Sequence, residues 1–171
     1  MAIDKELYNP VAEMVKICMR HLKKKQYELG LTTKDVHTAV KHLDVYRRKN
    51  GRSWAGYRMI KINLECWQFG NKVYSEYARF NDDPTIGQIK VSDNSDILMC
   101  LVAHEVSHYV QYTHKSKMPK YLRDKSKNDR GHGDCFQTIY RYLRQGLVNP
   151  AIAERRQKLL AERRQKRKEA A

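Results

Sequence analysis

Two histidines four residues apart, with a glutamate directly after the first, are the residues of this chain best suited to do chemistry: His104-Glu105-Val106-Ser107-His108. Four residues on an α-helix make one turn plus about 40°. Both imidazoles therefore leave the same face, and each can reach a single Zn²⁺ at about 2.0–2.1 Å. Glu105 projects from an adjacent part of that face. There it can take a proton from a water acidified by the ion and pass it to a leaving amine, the general-base role in metal-assisted hydrolysis. A surface helix with two incidental histidines is the competing reading. The apolar run Ile97–Ala103 just before the motif argues against it, because polar groups carried into a core need a partner or a function.

A catalytic zinc needs a third protein ligand and one open position. Two histidines compete for the role. His114 follows His108 by six residues, the spacing of H-E-x-x-H-x-x-G-x-x-H, but Gln111 occupies the glycine position where the chain must turn back sharply. His132 lies in Gly131-His132-Gly133-Asp134-Cys135-Phe136. H-E-x-x-H followed by H-G-x-x-F resembles the SprT-like family, which includes the Spartan DNA–protein-crosslink proteases. The resemblance covers roughly residues 55–145, with the strand Met59–Leu64 upstream and the aromatic helix after Phe136. It implies a zincin-like minimal metallopeptidase of α+β class, one Zn²⁺ on His104, His108 and His132, Glu105 as catalytic base, and protein substrates attached to DNA. In that setting Gly133 allows close backbone approach to the metal, Phe136 packs beneath the site, and Asp129 or Asp134 is available to orient a ligand histidine.

The elements that must position these residues are legible in outline. Asn9-Pro10 reads as a helix start, and Val11, Met14, Val15, Cys18 and Leu22 follow at helical spacing until Gly30. A second helix from about Thr33 buries Val36, Ala39, Val40 and Leu43 and runs to Arg47-Arg48-Lys49. Ile60, Ile62 and Leu64 alternate as in a strand; Val73–Phe80 and Ile86–Val91 are further strand candidates, for a small, mainly antiparallel sheet. Ser95 caps the motif helix, which extends to about Thr113. Residues 114–131 form a basic loop, a helix follows Gly133 and stops at Gly146, and Asn149-Pro150 opens a last, charged helix. This divides the chain into an N-terminal helical segment (1–50), a metallopeptidase core (51–148) and a basic C-terminal helix (149–171).

The 171 residues carry a net charge of +15, which favours an anionic partner, with DNA, single-stranded or damaged, the expectation. Lys115, Lys117, Lys120, Arg123, Lys125, Lys127 and Arg130 stand against Asp124 and Asp129 in the loop before His132, a candidate phosphate-binding surface. Trp54, Tyr112 and Tyr121 are candidates for stacking on unpaired bases. The final helix repeats Ala-Glu-Arg-Arg-Gln-Lys at 153–158 and 161–166, which reads equally as a solvated helix or a nucleic-acid-binding arm. Cys18, Cys66, Cys100 and Cys135 form no C-x-x-C pair, so neither a disulfide framework nor a zinc ribbon is indicated. With no apolar leader and no membrane-length run, the expectation is a cytoplasmic or nucleoid-associated protein. Two other readings stay open: a non-catalytic DNA-binding module with a structural zinc closed by Cys135 or His114, and a protease unrelated to DNA.

Overall fold

The computed structural model describes residues 5–24, 29–65, 68–77, 80, 82–120 and 131–169. It is a mixed α+β structure. In chain order its elements are α1 (Lys5–Lys23), α2 (Thr33–Lys41), β1 (Leu43–Tyr46), β2 (Trp54–Gly56), β3 (Met59–Asn63), β4 (Val73–Tyr74), β5 (Ile89–Lys90), α3 (Asn94–His114), α4 (Asp134–Leu143) and α5 (Asn149–Glu169).

The helix ends are set by local chemistry. α1 begins a turn before the expected Asn9 cap, so Pro10 lies inside it and forgoes one backbone bond near the end where few are formed. α2 starts on a reciprocal capping box: the Thr32 side chain accepts from Asp35 N, and the Asp35 carboxylate accepts from Thr32 N at 2.7 Å. α3 is capped by Asp93, not Ser95; its carboxylate accepts from Ser95 N and Asp96 N at 2.8 and 3.1 Å.

The expected second helix ends at Lys41, and after the C-cap His42 the residues Leu43–Tyr46 form a strand instead. Leu43 and Val45 point to the core while Asp44 and Tyr46 point away. β1 runs parallel to β3, pairing Leu43 with Ile60, and β2 runs antiparallel to β3, pairing Trp54 with Lys61. The three-stranded sheet is therefore mixed, in the order β1-β3-β2, and β4 and β5 form a separate two-stranded ladder. The expected strands at 73–80 and 86–91 shrink to these two short pieces.

α3 is the centre of the molecule. From Cys100 to Gln111 every residue is buried, as a helix surrounded by other elements requires. α1, β2, β3 and α4 all pack on it, around Val15, Met19, Leu22, Ile60, Ile97 and Ile139. Gly146 does not stop a helix: α4 passes through a π-helical turn, Arg144–Val148, into α5. Gly146 meets the His21 ring there, and a Cβ would lie on that ring. Beyond Ile152 α5 is largely exposed, and no described helix is long and apolar enough to cross a membrane.

Candidate metal centre

His104, Glu105 and His108 project from the buried middle of α3, and His132 is brought to them by the short segment before α4. Gly131 supplies the left-handed backbone there (φ 78°), a conformation that favours glycine. Gly133 is the N-cap of α4, with an ordinary φ of −72°. Gln137 Nε2 donates to His132 O at 3.1 Å and ties the segment to α4. Phe136 lies against all three imidazoles, with ring centroids 4.3, 4.7 and 4.9 Å from His108, His132 and His104. Tyr77 covers His132 from the solvent side at 4.3 Å.

The three Nε2 atoms converge. His132 Nε2 is 3.0 Å from that of His108 and 3.1 Å from that of His104. The edge of a tetrahedron built on 2.0–2.1 Å zinc–nitrogen bonds is about 3.3 Å, so the spacing suits one small cation.

The other ring nitrogens reinforce this. His104 Nδ1 is 2.9 Å from Glu76 Oε2. An ionised carboxylate only accepts, so Nδ1 carries a proton and Nε2 is the nitrogen turned towards the other two rings. His108 Nδ1 faces Gln111 Oε1 at 3.2 Å, which fixes the same tautomer. Burial and the neighbouring His104 and His132 push the His108 imidazolium down to about 3, so that ring is neutral. Ring nitrogens this close must share a proton or a cation, and imidazoles whose far nitrogen is anchored, as in His104 and His108, are what zinc binds. The donor set therefore fits a Zn²⁺ ion.

Glu76 was not visible as a site residue in the sequence. Its side chain is 3% exposed; the Tyr140 hydroxyl donates to its Oε1, and Arg144 Nη1 donates to the Tyr140 oxygen at 2.9 Å. Burial pushes the Glu76 carboxyl up, but His104, Tyr140 and Tyr74 outweigh this and hold it below its ordinary value. Burial likewise pushes His104 down, and the Glu76 charge more than reverses it. Arg144, fully buried, also donates through Nε to Asn149 Oδ1 at 2.7 Å. The faint signal for Glu76 was its place two residues after Tyr74, on the inward face of a short extended run.

Glu105 lies beside the cluster without joining it. Its Oε2 is buried with no hydrogen-bond partner among the described residues. Burial pushes its carboxyl up to about 7, in the range of a general base working near neutrality. A cleft of about 500 Å³ opens over it, lined by Arg52, Ser53, Glu76, Tyr77, His104 and Glu105 among others.

The remaining candidates separate from this centre. His114 ends α3 beside Asp35, with Nδ1 3.8 Å from Oδ1, and Cys135 is buried against Met118. Neither belongs to the cluster, which among the described residues holds His104, His108 and His132 and no fourth His, Cys, Asp or Glu. Asp134 is an exposed residue in the first turn of α4. In the basic loop, Lys115 and Lys120 are exposed and Lys117 lies in a 3₁₀ turn. Arg123, Lys125, Lys127, Arg130, Asp129 and Tyr121 lie outside the described residues. Tyr112 is 40% exposed and stacks beside His108. No family model, curated protein or solved structure matches this chain.

Proposed function

We propose that the chain is a zinc-dependent endopeptidase of zincin type, similar to the SprT-like proteases, acting on proteins bound or crosslinked to DNA. The observation that carries the hydrolytic reading is the pairing of three convergent imidazole Nε2 atoms with a buried carboxylate oxygen, Glu105 Oε2, that has no described hydrogen-bond partner. The three-histidine set with no fourth described ligand suits a catalytic site, which keeps a position open, better than a closed structural one. The H-E-x-x-H helix beneath a mixed sheet, with Arg52 and Ser53 just before edge strand β2 lining the cleft, supports the zincin reading; the charge of +15 supports the DNA side.

Zinc, held by His104, His108 and His132, would supply Lewis acidity to the attacking water and to the substrate carbonyl. Glu105 Oε2 takes the water proton and returns it to the departing amine. Glu76 and Gln111 keep the imidazoles of His104 and His108 turned with Nε2 inward. Phe136 and Tyr77 shield the ring nitrogens from bulk water.

The test is cleavage of casein or histone by the zinc-loaded protein, with and without single-stranded DNA, beside Glu105→Gln. The variant is expected to keep its zinc and lose at least about 100-fold in rate, and DNA is expected to stimulate the wild type. A wild type that binds zinc and cleaves nothing under either condition would shift the assignment to a structural zinc site.

A further inference from the structure

The three-stranded sheet has two unlike faces. Leu43, Val45, Ile60 and Ile62 point inward, and both isoleucines are fully buried. The opposite face carries Asp44, Tyr46, Trp54, Met59 and Lys61, placed together by the pairings Asp44 with Lys61 and Trp54 with Lys61. The packed core lies on the inner face, and on the other Trp54 is 47% exposed and Met59 37%. Tyr57, in the β2–β3 turn, is 63% exposed. Large exposed aromatics on a sheet that already has a packed core on its other side are not explained by folding.

Each of these rings has a cation on one side. Lys61 Nζ stands 5.5 Å from the Trp54 ring and Arg58 4.9 Å from the Tyr57 ring. Between Leu43 and Asn63 six cations (Arg47, Arg48, Lys49, Arg52, Arg58 and Lys61) face one acid, Asp44, itself 3.5 Å from Lys61. A strongly basic surface interleaved with open aromatic rings is how proteins hold unpaired nucleotides: phosphates are neutralised while bases stack. A hydrophobic or acidic peptide would use only one of these two features.

We propose that this outer face of the sheet, centred on Trp54 and Tyr57, is a binding platform for single-stranded DNA. A deoxyribose strand is the better fit because the polar groups near the rings are already engaged and have little left with which to read a 2′-hydroxyl. Tyr46 OH donates to Arg52 O at 2.6 Å. Asn63 donates to Arg48 O and Gly51 O at 2.9 and 2.8 Å, and Asp44 is paired with Lys61. Arg52, at one end of the face, also lines the cleft over Glu105, so a strand on the platform ends beside the candidate active site. This surface rests on the DNA side of the function proposed above and on nothing at the metal centre.

Binding of fluorescently labelled oligo(dT) to the full zinc-loaded chain, read by anisotropy, tests it against an abasic deoxyribose-phosphate strand and oligo(U) of equal length. Oligo(dT) is expected to bind at least about tenfold more tightly than the abasic strand, and Trp54→Ala and Tyr57→Ala each to lose about tenfold. Trp54→Phe should restore most of the Trp54→Ala loss, and Lys61→Ala should flatten the dependence on salt by about one phosphate contact. All three positions are at or near the surface, and zinc content with thermal melting verifies the fold of each of the four variants. The same titration on Glu105→Gln, where no cleavage is expected, separates failure of the platform from failure of the peptidase reading. Equal binding of oligo(dT) and the abasic strand, or wild-type affinity in both alanine variants, overturns the platform. Oligo(U) binding as tightly as oligo(dT) overturns its assignment to DNA.

Discussion

At the scale of single residues, the site depends on groups that hold histidines as much as on the histidines. Glu76 fixes the tautomer of His104, and Tyr140 with Arg144 keeps Glu76 ionised and aimed. Replacing such an oriented carboxylate weakens metal binding about 10–100-fold in comparable sites. Glu76→Gln is therefore expected to lower zinc affinity by about that factor, measured by competition with a chromophoric chelator. Tyr140→Phe, which removes one hydrogen bond and leaves the carboxylate, is expected to cost less. Wild-type affinity in Glu76→Gln would mean that the ring orientation of His104 is set by packing alone. The clustering of His104 and His108 was legible because helical geometry ties them within one motif, while His132 entered through the H-G-x-x-F resemblance. Glu76 was not, because it lies 28 residues away and nothing local marks it. Gln111, unsuited to the glycine role that would bring His114 round, instead faces His108 Nδ1.

At the scale of elements, the sequence carried the helices and missed what depends on distant partners. β1 is only four residues long and follows a helix after a single residue, His42; Leu43 and Val45 become strand residues because β3 offers them a parallel edge. Gly146 looked like a helix stop because glycine is common there, yet its role is contact. Gly146→Ala would drive a methyl into the His21 ring, and overpacking of this kind costs about 1–3 kcal/mol. The expected drop in chemical-denaturation stability should be relieved by pairing it with His21→Ala. A second link between elements is pH-sensitive. Burial pushes the Asp83 carboxyl up, but the backbone N–H of Ile86, the Arg141 guanidinium and the N–H of Thr85 hold it below its ordinary 3.8. The Arg141 bond, at 2.5 Å, joins the loop before β5 to α4. A depressed carboxyl contributes stability that is present above its unfolded pKa and is lost as pH falls through the lower folded one. Asp83→Asn should therefore be less stable than wild type at neutral pH by about 1 kcal/mol. The two should converge as the pH falls below about 4; a gap independent of pH would place the effect in packing instead.

At the scale of the whole molecule, the metal centre joins parts of the chain that nothing else in the site links covalently. His104 and His108 belong to the buried central helix, and His132 to a half-exposed segment leading into α4. An ion on all three would hold that segment to the core and separate the three converging ring nitrogens. A ligand that binds the folded state alone stabilises it by RT ln(1 + [L]/Kd), about 2.7 kcal/mol at 100 times Kd. At about 2–4 °C per kcal/mol for a chain of this size, zinc is expected to raise the melting temperature by about 5–10 °C over chelator-treated protein. His132→Ala is the informative variant, because His132 is only half-buried and its loss leaves the packing inside α3 intact. Without zinc it should melt close to the chelated wild type; with zinc it should gain little, since two histidines on one helix bind far more weakly than three. The benefit in the wild type should also fade as pH drops, since protons compete for the same nitrogens. Equal zinc-dependent shifts in wild type and His132→Ala would remove His132 from the ligand set. No shift in either would mean that the three imidazoles meet for packing alone, and the hydrolytic reading would go with them.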